Sequence, residues 1–259
     1  MIRMAGRTGG RIALTLAVTV LVSSALLSTE ALNDLDAAPR NGQRRFAFDG
    51  SRLDIVVRGD GRVRLEQGPG DDLAVERELA GAAAREGNSG WDLDGNTLRL
   101  SAWCTGWAMN CRGEFVVRIP RGVAVSVDAS SGVSALGLNR TLEVATGDGN
   151  ISVRKASGPL SLRSTRGRVQ VLDSTSQTVD AHATRGPVSL AFSEPPRSAV
   201  ATSEIGDIRI ELPRAWYRVD AEARDRDSVY VGVLDFPSAA RHIVAHTEEG
   251  TIRIRATDS

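Results

Sequence analysis

From Val125 onward one pattern recurs, and it limits what this chain can fold into more than any other feature. With Gly149 as origin, Leu142 and Val144 lie seven and five residues before it, and Ile151 and Val153 lie two and four after it. The same offsets give Leu160, Leu162, Val169 and Val171 around Gly167, and Val179, Ala181, Val188 and Leu190 around Gly186. They give Ala199, Ala201, Ile208 and Ile210 around Gly206, and Ile243, Ala245, Ile252 and Ile254 around Gly250. Apolar residues two apart on both sides of a glycine spell two short strands joined by a turn. Gly132 fits through Val125, Val127 and Leu136, with Ser134 in place of one apolar residue. Asp227 stands where a glycine is expected, followed by Val229 and Val231, while Tyr217 and Val219 before it are out of register.

Each turn glycine is expected to supply a positive φ that other residues resist. The residue three before it is small in six of the seven units (Ala129, Thr146, Ser164, Ala183, Ser203, Thr247), as an inward corner requires. Successive origins are 17, 18, 19, 20, 21 and 23 residues apart. A period near 20 with two strands per unit predicts an all-β, parallel β-solenoid. At about 4.8 Å per coil, seven coils make a body of roughly 34 Å. The growing period implies that turns along one edge lengthen through the stack. A β-sandwich also uses period-two strands, but fixed offsets across units favour the solenoid. A low aromatic content of 4% and 26 glycines suit a thin aliphatic core with many corners.

Four segments are expected: 1–28 as a membrane anchor or signal, 29–45 as a flexible linker, 46–120 as an irregular β cap, and 121–257 as repeats. Within the cap region, Leu53–Gln67 resembles a degenerate unit, Asp94-Gly95 marks a turn, and Phe115–Pro120 forms an apolar strand. Residues 77–90 break the pattern as a loop or short helix. A solenoid needs an atypical terminal unit over its open end, and Trp91, Trp103 and Trp107 lie near both cysteines as candidates for that plug.

The amino terminus carries Arg3, Arg7 and Arg11, then an uncharged run from Ile12 to Leu27, predicted to be one hydrophobic helix. A basic flank before an apolar run is an export signal, and the positive-inside rule leaves the arginines in the cytoplasm. The run favours an uncleaved anchor over a cleaved signal; either way the body is placed outside the cytoplasm, on the cell membrane or secreted. In that compartment Cys104 and Cys111 are expected to form a structural disulfide. Two cysteines without nearby histidines are too few for a zinc site, and their spacing is not that of a Cys-x-x-Cys redox pair.

Several features together resemble a known family: Trp91-Asp92-Leu93-Asp94-Gly95 followed by Leu98 and Leu100, the Cys104 and Cys111 pair, Val117-Arg118-Ile119-Pro120, and repeated Ser/Thr-x-x-Gly-x-Val/Ile units. The sequence resembles the bacterial envelope proteins called putative adhesins, a domain of unknown function with β-strand repeats related to toast-rack domains. The likeness covers about residues 46–257. It implies a parallel β-solenoid outside the cytoplasm, often behind a membrane segment, and it carries over no catalytic residues.

Charge and motif content narrow the function further. The 32 basic and 32 acidic side chains cancel, which argues against a nucleic-acid partner. Of the basic residues all but Lys155 are arginine, so no single arginine carries functional weight. His182 and His246 occupy equivalent outward positions three units apart, roughly 14 Å in a regular stack and too far for one metal. Asp225, Asp227 and Asp235 lack calcium-loop spacing and fit a solvated turn. No nucleophile elbow, phosphate loop or dinucleotide fingerprint occurs. No enzyme activity, cofactor or metal is therefore expected. The loop between the cysteines, with Trp103, Trp107 and Met109, is the candidate contact loop, against the plainer alternative that its tryptophans plug the solenoid end. The expected function is a non-catalytic envelope module, an adhesin or surface interaction domain whose partner is an envelope protein or surface glycan. A membrane-anchored envelope-stress sensor or regulator of toast-rack type is the alternative.

Overall fold

The inward columns of the repeat form the core. A computed structural model of the protein describes residues 38–104 and 111–257, and in it two eleven-stranded sheets face each other across one continuous apolar cluster. Along the chain come β1 (Arg40–Phe46), β2 (Arg52–Gly59), β3 (Arg62–Gln67) and β4 (Leu73–Ala80), a 3-10 turn at Gly81–Ala84, then β5 (Ser89–Asp94), β6 (Thr97–Ala102) and β7 (Arg112–Ile119). The clear repeats follow as strand pairs: β8 (Ala124–Ala129) with β9 (Val133–Leu136), β10 (Leu142–Thr146) with β11 (Ile151–Arg154), and β12 (Leu160–Arg166) with β13 (Val169–Ser174). Next are β14 (Thr178–Arg185) with β15 (Val188–Phe192), and β16 (Ser198–Ile205) with β17 (Ile208–Leu212). The last are β18 (Trp216–Ala223) with β19 (Val229–Gly232), the short β20 (Leu234–Asp235), and β21 (His242–Glu249) with β22 (Ile252–Ala256).

Within each coil the first strand joins one sheet and the second joins the other, and neighbouring coils pair in parallel. Leu142 lies beside Leu160, Leu160 beside Val179, and Val179 beside Ala199, so the offsets read from sequence are the hydrogen-bonded register. Polar residues between them, such as Ser152, Arg163 and Arg209, point outward.

The glycines are needed for more than the positive φ expected. Gly186, Gly206 and Gly250 have it (φ 149°, 155° and 156°), whereas Gly149 and Gly167 do not. What the column shares is closeness: a Cβ on Gly167, Gly186, Gly206 or Gly250 would fall less than 3.0 Å from the carbonyl oxygen of the glycine one coil below. The small residues beside them complete the corner. Ser164 donates to the Gly149 carbonyl at 3.0 Å, Ser203 to that of Gly186 at 3.0 Å, and Thr247 to that of Gly206 at 2.9 Å. Each hydroxyl thereby gives a corner carbonyl a hydrogen-bond partner.

The two irregular units are real coils with altered turns. Val133 and Ala135, not Ser134 and Leu136, align with Ile151 and Val153 and are buried. The turn at Gly132 is one residue shorter than at Gly149, and since strand faces alternate, this shift exchanges inward for outward positions. Leu136 is accordingly exposed. At Asp227 the turn is one residue longer: Val219 aligns with Ile243, and Val229 with Ile252. The 3-10 turn Arg226–Ser228 takes up the extra residue, with Asp225 accepting from the Asp227 amide at 3.1 Å.

Coil order in space differs from order in the chain. β6 and β7 lie outside β2 and β3, which pair directly with β8 and β9. At the other end β21 and β22 insert between the β16–β17 coil and the β18–β19 coil, making the latter terminal. The expected boundary near residue 120 therefore separates no distinct cap, because two coils of the same stack precede it. Residues 40–45, assigned to the flexible linker, are instead strand: β1 pairs antiparallel with β4, and β4 with β7. Alternation is weak in β1, where only Phe46 is buried, which is why the segment looks aperiodic. The anchor and the rest of the linker, residues 1–37, lie outside the described residues, and so does the predicted hydrophobic helix.

The lengthening edge is the corner opposite the glycines, where the connection grows from residues 154–159 to 172–178 to 191–198. Here Gly137, Lys155 and Asp173 stack in one column, all with left-handed backbone (φ 70°, 53° and 52°). An L-residue pays about 1–2 kcal/mol for that conformation. Lys155→Gly is expected to raise stability by about 0.5–1 kcal/mol in urea denaturation, with Asp173→Gly gaining less because aspartate tolerates the region better.

Candidate functional site

The disulfide closes between Cys104 and Cys111, with Cα atoms 5.6 Å apart, and links the end of β6 to the start of β7. It spans the corner of the outermost amino-terminal coil, where no further coil holds the crossing in place. The backbone amide of Cys104 donates to Asp60 at 2.9 Å, tying this corner to the adjacent coil. Replacing both cysteines with serine is expected to lower stability by about 2–3 kcal/mol, the chain-entropy value for so short a loop, measured by urea denaturation with and without reductant. Of the candidate contact loop, Trp103 is 47% exposed; Trp107 and Met109 lie outside the described residues.

Of the two described tryptophans near the disulfide, Trp91 packs against the core and Trp103 is exposed. Trp91 on β5 belongs to one sheet, yet its ring lies 4.3 Å from the Arg77 guanidinium on β4 of the other, a cation–π contact bridging the two sheets. Arg118 on β7 reaches Glu76 on β4 through two hydrogen bonds (2.6 and 3.1 Å). The hydrogen bonds from Arg118 hold the Glu76 carboxyl below its ordinary range. Antiparallel strands β4 and β5 thus cover the outermost parallel coil on both sheets.

The outward faces of the stack are unlike one another. On the sheet containing β10, β12 and β14, charges pair across strands: Arg52 with Glu143 at 3.0 Å, Arg58 with Asp128 at 3.0 Å, and Arg163 with Asp180 at 3.1 Å. Such exposed pairs contribute little to stability. On the other sheet Arg209 and Arg253 lie side by side on β17 and β22, with Arg255 one pleat further along. These three make no ion pair among the described residues. Asp207 below them is held under the usual carboxylate range first by the Thr251 amide (2.8 Å) and hydroxyl (2.9 Å), and only then by these arginines. Both hydrogen bonds are accepted by its Oδ1.

The histidines sit differently from their expected spacing. His182 and His246 flank Thr202, two coils apart rather than three, because the Asp227 coil lies beyond β21. That separation, roughly 10 Å, still rules out one shared metal. His182 Nδ1 lies 2.7 Å from the Thr202 hydroxyl, and His242 is held between Arg218 and Asp220. Asp235 accepts from the Val219 amide at 3.0 Å, a structural role. Sequence patterns miss both the arginine row and the Trp91–Arg77 bridge, since each joins residues far apart in the chain and neither has a local signature.

These elements define a class: a two-sheet parallel β-solenoid with one end closed by antiparallel strands and a disulfide. The sequence matches no known family profile and no curated protein. Several solved bacterial structures are similar to it. A "putative adhesin" from Bacteroides fragilis is 13% identical, with a TM-score of 0.48, covering 84% of this chain and 97% of its own. A "putative cell adhesion protein" from Clostridium sporogenes is 9% identical, with a TM-score of 0.38, covering 85% of this chain and 100% of its own. A third, from Parabacteroides distasonis, is 12% identical, with a TM-score of 0.39.

Proposed function

We propose that this chain is a non-catalytic interaction module of the bacterial cell envelope, of adhesin type, working outside the cytoplasm behind its amino-terminal segment. The observation that carries the reading is the arginine row on the β17–β22 face. Like charges directly opposite on neighbouring strands destabilise a sheet; Asp207 lies near Arg209 and Arg253, and Glu211 stands opposite Arg255, but neither carboxylate closes an ion pair with them. Guanidinium groups left free on a flat face engage carboxylate or phosphate groups of a partner through bidentate hydrogen bonds. An acidic surface glycan or an acidic envelope protein fits that chemistry. The Cys104–Cys111 bond supports an oxidising compartment.

The test is binding of the full-length chain to intact envelope preparations, compared with Arg209→Ser/Arg253→Ser. Binding that falls several-fold in the double variant and weakens with salt is expected. Equal binding by both forms, or none under any condition, overturns the reading. Loss of binding in Trp103→Ala alone would move the contact to the disulfide loop.

A further inference from the structure

β19 is the last strand of the arginine-bearing sheet, and its register sets Tyr230 beside Arg253 and Gly232 beside Arg255. Tyr230 therefore carries the outward row of Arg209 and Arg253 on to the sheet edge. Its ring is laid along its own strand: a Cβ on Gly232 would fall 2.9 Å from Tyr230 Cε1 and 3.1 Å from Tyr230 Oη. With no side chain beneath it, the ring rests over the glycine and leaves its other face to solvent; the residue is 59% exposed. It is the one aromatic residue exposed on a strand of this sheet among the described residues, whereas Trp216, Leu234 and Phe236 belong to the outer face of the opposite sheet. No hydrogen bond, ion pair or ring contact engages the side chains of Tyr230, Arg209, Arg253 or Arg255 among the described residues.

We infer that this edge is a subsite for an acidic polysaccharide, with one sugar ring stacked on Tyr230 and its carboxylate held by Arg253 and Arg255. Two observations choose a uronate-bearing glycan over an acidic protein. The first is the pairing of a flat aromatic face with guanidinium groups one strand away, about 4.8 Å. A pyranose ring presents a flat face of C–H groups and, in a uronate, a carboxylate at its rim, so one sugar meets both parts at once. The second is what continues the row. Beyond Arg209 it runs through Ser189, Gln170 and Ser152, one per coil, so neutral hydroxyl and amide groups line a track of about 24 Å from Tyr230 across the strands. A linear polymer of hydroxylated units finds a partner at every coil there, while a protein surface finds no apolar anchor.

The platform is set before any ligand arrives. Because the ring already lies against the strand, stacking on it orders few further rotors. The ring reaches from Tyr230 to above Gly232, so both arginines of β22 flank it. A guanidinium takes a carboxylate through two parallel hydrogen bonds, which fixes the orientation of the sugar as well as its charge. An anion bound there also relieves the repulsion between Arg209 and Arg253 on adjacent strands. Glu211 lies one pleat off the row, opposite Arg255, and leaves the row itself cationic. The inference rests on the arginine face of the proposed function and names the class of ligand that face takes.

Titration of the full-length chain in mild detergent with polygalacturonate tests it, beside methyl-esterified polygalacturonate, polyglutamate and phosphatidylglycerol vesicles. Polygalacturonate is expected to bind at least about tenfold more tightly than the ester or the polypeptide. Tyr230→Ala should weaken that binding about three- to tenfold. Gly232→Val, whose side chain lifts the ring off the strand, should do the same, with both thermal midpoints close to the parent's. Equal binding of polyglutamate or of the vesicles overturns the inference, as does no binding of polygalacturonate, or Tyr230→Ala binding like the parent. The two readings fail separately. Envelope binding lost in Arg209→Ser/Arg253→Ser but untouched in Tyr230→Ala keeps the interaction module and removes the sugar subsite; envelope binding indifferent to both variants removes the arginine face itself.

Discussion

Gly186→Val is expected to destabilise the protein by about 3–5 kcal/mol, near the largest effect a single substitution reaches. Two costs add. The new Cβ falls less than 3.0 Å from the Gly167 carbonyl oxygen, which is backbone held in the ladder of the coil below. Relief would require separating two coils already hydrogen-bonded from Gly167 N to Arg185 O at 3.0 Å and from Val169 N to Pro187 O at 3.0 Å. Overpacking of this kind costs about 1–3 kcal/mol where the neighbours can shift, and more where they are backbone. The second cost is conformational, since φ at Gly186 is 149° and a β-branched residue is excluded from that region. Gly122→Ala and Gly147→Ala are the controls. Nothing lies within 4 Å of a Cβ at Gly122, although its φ of 82° carries a conformational penalty, and at Gly147 the nearest atom is 3.5 Å away. Urea midpoints should rank Gly147→Ala mildest, Gly122→Ala intermediate and Gly186→Val most severe. Equal effects at Gly147 and Gly186 would mean that coil stacking does not depend on the glycine column.

Inter-coil register was legible in the sequence because it depends on side-chain periodicity, and periodicity is local. The offsets around Gly149, Gly167, Gly186, Gly206 and Gly250 are the observed pairings. What they do not carry is coil order: every coil presents the same inward pattern to both neighbours, so the Gly250 unit fits on the Gly206 unit as well as on the Asp227 unit. Asp227 itself held the clue. A coil at the end of a stack has no further coil resting on its own corner, so its turn is free to lengthen and lose the glycine. The Gly132 turn was misread for a related reason: with one residue removed, Val133 and Ala135 take the inward places, and Ser134 stops being an exception. Arg209 and Arg253 are 44 residues apart, and only the β17–β22 register joins them. Trp91 and Arg77 meet from different sheets. No spacing rule reaches either pair.

Tyr217 should lock the terminal coil, and both truncation and alkali should release it. Its side chain is fully buried and its hydroxyl donates to the Pro213 carbonyl at 2.7 Å. Tyr217→Ala leaves a ring-sized hole beneath an end that has no coil above it, and is expected to cost about 3–5 kcal/mol, as buried aromatic truncations do. The loss should be local as well as global: amide exchange in β18 and β19 should quicken before that in β12 and β13, because one side of the terminal coil has no strand to hold it. Burial also pushes the Tyr217 hydroxyl up to about 12, from an ordinary value of 10.0. The folded state therefore disfavours the phenolate. That contribution to stability is fully present below pH 10, where both states are neutral, and is lost as pH rises from 10 toward 12 and the unfolded chain ionises first. At about 1.4 kcal/mol per unit, the decline reaches roughly 2–3 kcal/mol. Tyr217→Phe keeps the ring and removes the proton, so it should cost about 1 kcal/mol at neutral pH for the lost hydrogen bond and show a flatter alkaline profile than the parent. Parallel profiles for the two proteins between pH 10 and 12 would mean that the phenol is not what holds this end closed.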